Sequence, residues 1–575
     1  MNESYMFPTS LKEVQALGWE YIDVIFFSGD AFIDHPSFGA AVISRVLQKE
    51  GYRVAVVPQP NWRDDLRDFK KLGIPRLFFA VTAGAMDSMV NHYTANKRIR
   101  SDDAYTPDGK AGMRPDYCVT VYSKILKKLF PSSLVVIGGI EASLRRLTHY
   151  DYWSDSVMPS ILSSSGADYL IYGMGERTIV ALAGAIEISS SEFEIQQLPG
   201  LAYVKNNTNI SDKYHKVHLL HSFEKCCSDK VAFVKNFNKM ELEANKMHPD
   251  ILVEAYANTF VVINPPYNPA TTEEMDSFFD LPYTKLPHPR YKNKRIPAFD
   301  MIKNSINIHR GCFGGCSFCT IAAHQGRFIQ SRSQDSIIKE VQDLVKKPYF
   351  KGVISDIGAP TANMYALQGK DLSICAKCLR KSCLYPSLCP NLNHSHAKLL
   401  ELYKKIDGIK GVKRSFIGSG IRYDLFLNDK GFFDDESRKY FEEVVVNHTS
   451  GRFKIAPEHT EDKVLKYMAK PSFSYFIKLR QYFDALMKKK GLKYMIVPYF
   501  ISSHPACTLE DMKKLRSNPA LKGIYLDQVQ DFTPTPMTAS SAMYYSGLDI
   551  KTFKPLFCET NQTRKREQKS LFFRK

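Results

Sequence analysis

From Tyr21 to Ile186 the apolar residues gather in short runs separated by amphipathic stretches. Asp23–Phe27, Arg53–Val57, Arg76–Val81, Leu134–Gly138 and Asp168–Tyr172 have the length of buried strands. Ser37–Glu50 and Tyr117–Phe130 carry apolar residues at helical spacing, and Gly51 stops the first. Strand and helix in alternation predict a doubly wound parallel domain. Such a sheet binds ligands at the carboxyl ends of its strands. Ser28-Gly29-Asp30, Thr82-Ala83-Gly84, Gly138-Gly139-Ile140-Glu141 and Gly173-Met174-Gly175-Glu176 fall there. No G-x-G-x-x-G follows the first strand, which argues against a dinucleotide.

A second alternation starts at Ser305. Its predicted strands are Ile306–Ile308, Gly352–Ile357, Arg414–Gly418, Arg452–Ile455, Tyr494–Phe500 and Gln528–Phe532. Helices are predicted at Gln334–Lys346, Ser395–Lys405, Asp435–Val445, Glu461–Lys466, Ser474–Lys490 and Thr508–Ser517. Between the two series the pattern weakens. Glu187–Met247 is charged and irregular, and Asn264–Arg295 is rich in proline, which predicts an extended connector across a surface. The reading is therefore α/β throughout. It has an N-terminal domain over 1–200, an irregular insert and connector over 201–295, a second α/β domain over 296–545, and a basic tail over 546–575 read as a solvated, frayed end.

The second series opens on Ile306–Gln330, INIHRGCFGGCSFCTIAAHQGRFIQ, in which Cys312, Cys316 and Cys319 stand in a glycine-rich loop just after a strand. Three thiolates this close can converge on one metal centre, and Gly311, Gly314 and Gly315 let the backbone wrap and aim amide N–H groups at sulfur. A [4Fe–4S] cluster usually takes four cysteines, so three leave one iron open. A partial zinc site or free thiols would share this spacing.

The C-x3-C-x2-C loop, with Phe318 before its last cysteine, resembles the radical S-adenosylmethionine (SAM) motif. RGCFGGCSFCTIAAHQGRFIQSRS, SGIRYDL, KIAPEHTEDKVLKYMAKP, PYFISSHP and QVQDFTPTP, spread over Arg310–Pro536, together resemble the YgiQ family of radical SAM proteins. That resemblance implies an enzyme whose second domain is a partial, open (βα)6 barrel with its chemistry at the carboxyl ends of the strands. It implies a [4Fe–4S] cluster on Cys312, Cys316 and Cys319 and SAM as the second cofactor. A one-electron reductant such as flavodoxin or ferredoxin would serve it as partner. Gly358-Ala359-Pro360 stands where relatives carry the turn that receives the SAM amino group, with Ala359 a departure from the more usual glycine. Phe318, Gly358, Ala359, Pro360, Ser419, Arg422 and Glu458 are the expected cofactor contacts. Asp424, His459, Ser503, His504 and Asp531 are expected beside them at strand ends.

The N-terminal series resembles the cobalamin-binding domain of some radical SAM enzymes. The ligating pattern of that fold is D-x-H-x-x-G, whereas Asp34-His35-Pro36-Ser37-Phe38-Gly39 puts the histidine out of register. Cobalamin is therefore not expected.

A second cysteine group, Cys375, Cys378, Cys383 and Cys389, lies in a stretch, 370–396, between the second strand of the barrel and its helix. Four cysteines so near one another predict a second metal, either zinc or an auxiliary iron–sulfur cluster. Cys226 and Cys227 are adjacent and do not chelate together comfortably.

Composition changes the picture in one respect. The 575 residues carry 78 Lys and Arg against 60 acids, a net charge of +18. Such an excess suits an anionic partner, and RNA is the candidate substrate. Basic residues around Tyr291 in PHPRYKNKR, Pro287–Arg295, are expected to pair phosphates beside a stacked base, and the tail run at Arg564–Arg566 adds to them. The alternative function class is a non-catalytic, metal-containing RNA-binding protein on a radical SAM-like barrel. No apolar run is long enough to span a bilayer and no leader pattern opens the chain, so a cytoplasmic protein without a membrane partner is expected.

Overall fold

The structure, a computed structural model, describes residues 6–206 and 215–573. Five parallel strands form the first half of one sheet: β1 (Val24–Ser28), β2 (Val54–Pro58), β3 (Phe78–Thr82), β4 (Val135–Gly138) and β5 (Tyr169–Ile171). β1 lies between β2 and β3, with Val24 opposite both Val54 and Phe78. β4 and β5 follow on the far side of β3. Every residue of β1, β2 and β3 is buried, because helices cover both faces. The strand period of two divides β1 between two cores. Val24 and Phe26 pack with Val42, Val46 and Leu47 of the helix Gly39–Lys49. Ile25 and Phe27 pack with Val119, Tyr122 and Leu126 of the helix Cys118–Leu129. Each such side chain contributes about 1.5–3 kcal/mol on burial. Gly51, at φ +92°, ends the first helix where a side chain would be strained.

The segment read as irregular differs from that expectation. β6 (Leu201–Lys205), β7 (Val217–Leu219), β8 (Ile251–Tyr256) and β9 (Thr259–Ile263) extend the same sheet. Its order among the described residues is β7-β8-β9-β6-β5-β4-β3-β1-β2. β6 runs antiparallel to β5, so the parallel pattern ends there. The proline-rich connector is wedged between the two halves of the chain. Leu286–Pro287 pairs with Ile33–Asp34, and Lys285 forms a buried ion pair with Glu340 at 2.8 Å.

Along the second half the parallel ladder is built from β10 (Ser305–Asn307), β11 (Asp356–Gly358, preceded by the short strand Val353–Ile354), β12 (Arg414–Ser415), β13 (Arg452–Glu458), β14 (Met495–Ser502) and β15 (Val529–Asp531), with short antiparallel pairs beside it. β10 pairs in parallel with β11, and Val353–Ile354 with β12. A parallel bridge from Ile421 to Ile455 continues to β13, which pairs with β14, and β14 with β15. Ile306, Ile357, Phe453 and Phe500 share one core with Val341, Leu402, Phe441 and Leu479 of the intervening helices.

The tail corrects the expectation of a frayed end. Gln562–Ser570 is a helix, and Lys565 is fully buried, donating to Tyr152 Oη at 3.0 Å and to the Phe532 carbonyl at 3.3 Å. Among the described residues no helix is long and apolar enough to cross a membrane.

Candidate functional site

The three-cysteine loop leaves β10 and returns in a short antiparallel pair, His309–Arg310 against Gln330–Ser331. Gly311 (φ +86°) starts the loop where any Cβ would lie 2.2 Å from the Phe328 carbonyl oxygen. Only glycine fits that crossing. Within the loop the Gly314 amide is bonded to the Cys312 thiol and the Ile321 amide to the Cys319 thiol. The three thiols are half-buried. Burial pushes the Cys319 thiol up to about 12, and Cys316 and Cys312 beside it push in the same direction. Burial also raises Cys312, partly offset by its hydrogen bond with Thr361. A centre that replaces these protons relieves the mutual repulsion of the thiolates.

One cation meets the sulfurs directly. Arg422 Nη1 donates to Cys316 Sγ at 3.0 Å. Asp424 grips the other edge of the guanidinium, accepting from Nε at 2.8 Å and from Nη2 at 2.5 Å. Burial disfavours the charged guanidinium, but Asp424 and then Cys316 hold it firmly protonated. Cys312 Sγ lies 3.4 Å from Thr361 Oγ1.

The other expected contacts stand at or beside strand ends of the second half, apart from Phe318 on the loop itself. Gly358 ends β11, and a Cβ there would meet Asp356 Oδ2 at 2.1 Å and Ser419 Oγ at 2.5 Å. Ala359 and Pro360 continue from it, half-buried, and Ala359 packs on the second core. Phe318 stands edge-on to His504, ring centres 6.2 Å apart. Glu458, at the end of β13 and at φ +71°, is buried with Lys470 Nζ 3.7 Å from its carboxylate. Burial raises its pKa against the pull of Lys470 and Arg422, and its charge is felt at Cys319.

Four residues expected beside them are engaged within the fold. Ser503 donates to Gln568, and His504 Nε2 lies 2.7 Å from Ser540 Oγ. His459 Nε2 faces Cys507, and Asp531 accepts from Ser502 and Asn96. These contacts fix the tail helices and β15 to the cluster loop, since Ser540 Oγ also donates to Ser317 Oγ at 2.8 Å.

Two residues that pattern reading missed are Asp356 and Arg310. Asp356 accepts from the Gly418 and Ser419 amides at 2.7 and 3.1 Å and so joins the ends of β11 and β12. Its signal was a carboxylate two positions before a strand-end glycine. Arg310, at the base of the loop, forms a buried ion pair at 2.5 Å with Glu176 of the N-terminal domain. The two halves are thus joined where the loop begins.

Above the carboxyl ends of β3 and β4 lies a cavity of about 300 Å³, bounded by Gly84, Gly139 and Met174 and closed by Arg310 and His324. His35 is buried away from it. Its Nδ1 accepts from the Ser37 amide, while Asp34 is held by Arg45 at 2.5 Å. In the connector, Tyr291 is buried, its hydroxyl accepting from the Phe32 amide at 3.2 Å. The expected base-stacking platform is therefore corrected: that ring is part of the core.

Residues 6–305 match the radical SAM N-terminal family. A UPF0313 protein of Bacteroides thetaiotaomicron is 53% identical over 98% of this chain and 93% of its own length. A UPF0313 protein of Porphyromonas gingivalis is 52% identical over 98% of this chain and 90% of its own. Among solved structures, the radical S-adenosylmethionine methyltransferase TsrM from Kitasatospora setae, bound to tryptophan and a SAM analog, aligns with a TM-score of 0.48 at 14% identity. It covers 90% of this chain and 74% of its own.

Proposed function

This chain belongs to the UPF0313 family of radical SAM proteins, and from that membership we propose that Cys312, Cys316 and Cys319 hold a [4Fe–4S] cluster beside a SAM site. The observation that carries this reading is the placement of three thiols on one tight loop, with the Arg422 guanidinium on Cys316 Sγ. The donor set fits. Soft thiols with amide and guanidinium donors directed at them suit an anionic iron–sulfur centre.

The chain is a radical SAM enzyme, and its second half is read as an open (βα)6 barrel. A cluster held by Cys312, Cys316 and Cys319 would supply the one-electron reduction that cleaves the sulfonium of SAM. The protein's own residues prepare that site. Asp356 holds the ends of β11 and β12 together, which shapes the Gly358-Ala359-Pro360 turn for the SAM amino group. Phe318 of the cysteine loop meets it together with Ser419, Arg422 and Glu458 from beside the neighbouring strands. Arg422 directs its guanidinium at Cys316 Sγ, and Glu458 offers a carboxyl whose burial favours the proton-bearing form.

The electron would come from a one-electron reductant such as flavodoxin or ferredoxin. His35, its Nδ1 accepting from the Ser37 amide, does not line the cavity of the N-terminal domain, which on this reading leaves a bound cobalamin without that ligand. RNA remains the candidate substrate, on the net charge of +18 and the exposed Arg290, Lys292, Lys294 and Arg295. The non-catalytic alternative leaves an intact set of three cluster thiols without a purpose.

The test is anaerobic reconstitution followed by SAM and dithionite. The intact chain should release 5′-deoxyadenosine, and Cys312→Ala, Cys316→Ala or Cys319→Ala should abolish it. Release from the triple variant would sink the reading. Stoichiometric cobalamin recovered with the protein, lost again in His35→Ala, would overturn the exclusion of the ligated form.

A further inference from the structure

The cysteines of the 370–396 insert have no part in that chemistry, yet they form a built site. Cys375, Cys378, Cys383 and Cys389 are all half-buried. Backbone bonds fold them together: the Cys378 amide donates to the Cys375 carbonyl at 3.1 Å, and the Cys389 amide to the Cys383 carbonyl at 2.7 Å. Donors already point at sulfur. Asn391 Nδ2 is 3.4 Å from Cys375 Sγ. The Arg380 amide and Arg327 Nη2 are 3.4 and 3.8 Å from Cys378 Sγ.

The spacing of the sulfurs separates the two metals that four thiolates could hold. Around one tetrahedral zinc, with Zn–S near 2.3 Å, neighbouring sulfurs stand about 3.8 Å apart. Around a [4Fe–4S] cube they stand on the order of 6 Å apart. Among the described residues, the one trio of metal-ligating side chains whose donor atoms all lie within 4.8 Å of one another is His218, Glu243 and Asp250. That trio is already neutralised by Lys246, at 2.8 Å from Glu243 and 3.1 Å from Asp250. Neither cysteine group gathers three sulfurs that tightly.

The position of the insert points the same way. The insert has little core of its own: Leu384 and Leu392 pack with Phe313 and Met364 beneath the first loop. The Cys383 amide donates to the Phe313 carbonyl at 3.1 Å, and Ser382 Oγ to the Gly314 carbonyl at 2.8 Å. Gly315 (φ +64°) lies so close that a Cβ would stand 2.6 Å from Ser382 Cβ. The two cysteine segments therefore share one backbone interface.

We propose that Cys375, Cys378, Cys383 and Cys389 hold a second iron–sulfur cluster, not a zinc ion, seated against the loop of Cys312, Cys316 and Cys319. This does not depend on the first site being loaded. The experiment uses the full chain carrying Cys312→Ala, Cys316→Ala and Cys319→Ala, reconstituted anaerobically with ferrous iron and sulfide in the presence of equimolar zinc. It should retain about four irons per chain and give a [4Fe–4S] electron paramagnetic resonance signal on reduction. Both should vanish when Cys378→Ala and Cys383→Ala are added. One zinc and no iron in the triple variant, or a folded triple variant free of metal, would overturn the proposal. Should the triple variant not fold, Cys378→Ala/Cys383→Ala alone decides: wild-type iron should fall by half, and unchanged iron refutes the site. Failure of the first site reads differently, as equal iron in the wild type and the triple variant.

Discussion

Arg422 Nη1 stands 3.0 Å from Cys316 Sγ, with the buried carboxylate of Asp424 on its other edge. The arginine is the hinge of a carboxylate–guanidinium–thiolate line. Arg422→Gln would leave Asp424 buried without its cation, at a cost of about 3–5 kcal/mol. Urea unfolding of the metal-free chain should show that loss, and Arg422→Gln/Asp424→Asn should recover part of it. Iron retention should fall in both variants, because each lacks the donor to Cys316. A single variant as stable as wild type would remove the pair from the account.

Gly315→Ala tests the contact between the two cysteine segments. The left-handed backbone costs a non-glycine residue about 1–2 kcal/mol. The new methyl must also displace Ser382 and the Lys381 carbonyl, 2.6 and 2.7 Å away. Melting temperature should drop, and sensitivity of the insert to protease should rise. Gly491→Ala is the control. Gly491 is also left-handed (φ +64°), yet nothing lies within 4 Å of its Cβ position, so only the backbone cost should appear.

Stability should fall as pH drops below about 6.5. His35, His396 and His504 are pushed down to about 3, and His459 to about 4, each chiefly by burial. The unfolded chain takes up these protons first, so stability present above the unfolded value is lost as pH falls toward the folded values. Buried carboxyls oppose this. Burial raises Asp30 to about 6 and Glu254 to about 7, and they favour the fold as pH falls. Burial also lowers His149 and His324 to about 4 and His309 to about 3, and it raises Glu141, Asp356 and Glu458; seven histidines against five carboxyls leave a net loss of at least roughly 1 kcal/mol per unit between pH 6 and 5. Urea midpoints across that interval measure it, and a flat profile would contradict the assignment of these histidines as neutral.

How much of this was legible in the chain depends on where each feature's partners lie. β1, β2 and β3 are covered on both faces, so they read directly as apolar runs. The cysteine loop is a local motif and needed no tertiary contact to be seen. β8 and β9 were missed although Ile251–Ile263 is a hairpin about Ala257 and Asn258, because Glu254 interrupts the apolar run. That carboxyl is buried and satisfied by the Thr148 amide and Asn236, which no local pattern reveals. Lys565 reads as a solvated charge for the same reason, since its partner Tyr152 is 413 positions away. Tyr291 was read as a surface ring among basic neighbours, but the connector turns it inward beneath Phe32.

That inward turn sharpens the RNA prediction. With Tyr291 in the core, Arg290, Lys292, Lys294 and Arg295 can offer phosphate contacts but no stacked base. Arg295 is in addition paired to Asp300 at 2.6 Å. Binding through this strip should then be electrostatic and indifferent to sequence, with log affinity falling by about 0.7 per contact for each tenfold rise in salt on a single strand. Neutralising Arg290, Lys292 and Lys294 should cut affinity at low salt and flatten the slope by about two units. Tyr291→Phe should leave both unchanged and lower only stability, because its hydroxyl serves the Phe32 amide. Fluorescence titration of cellular RNA at two salt concentrations reads all three chains. A slope unchanged in the neutralised variant would take the connector out of the binding surface. No binding at low salt by the intact chain would end the case for RNA and turn attention to a small molecule or a protein.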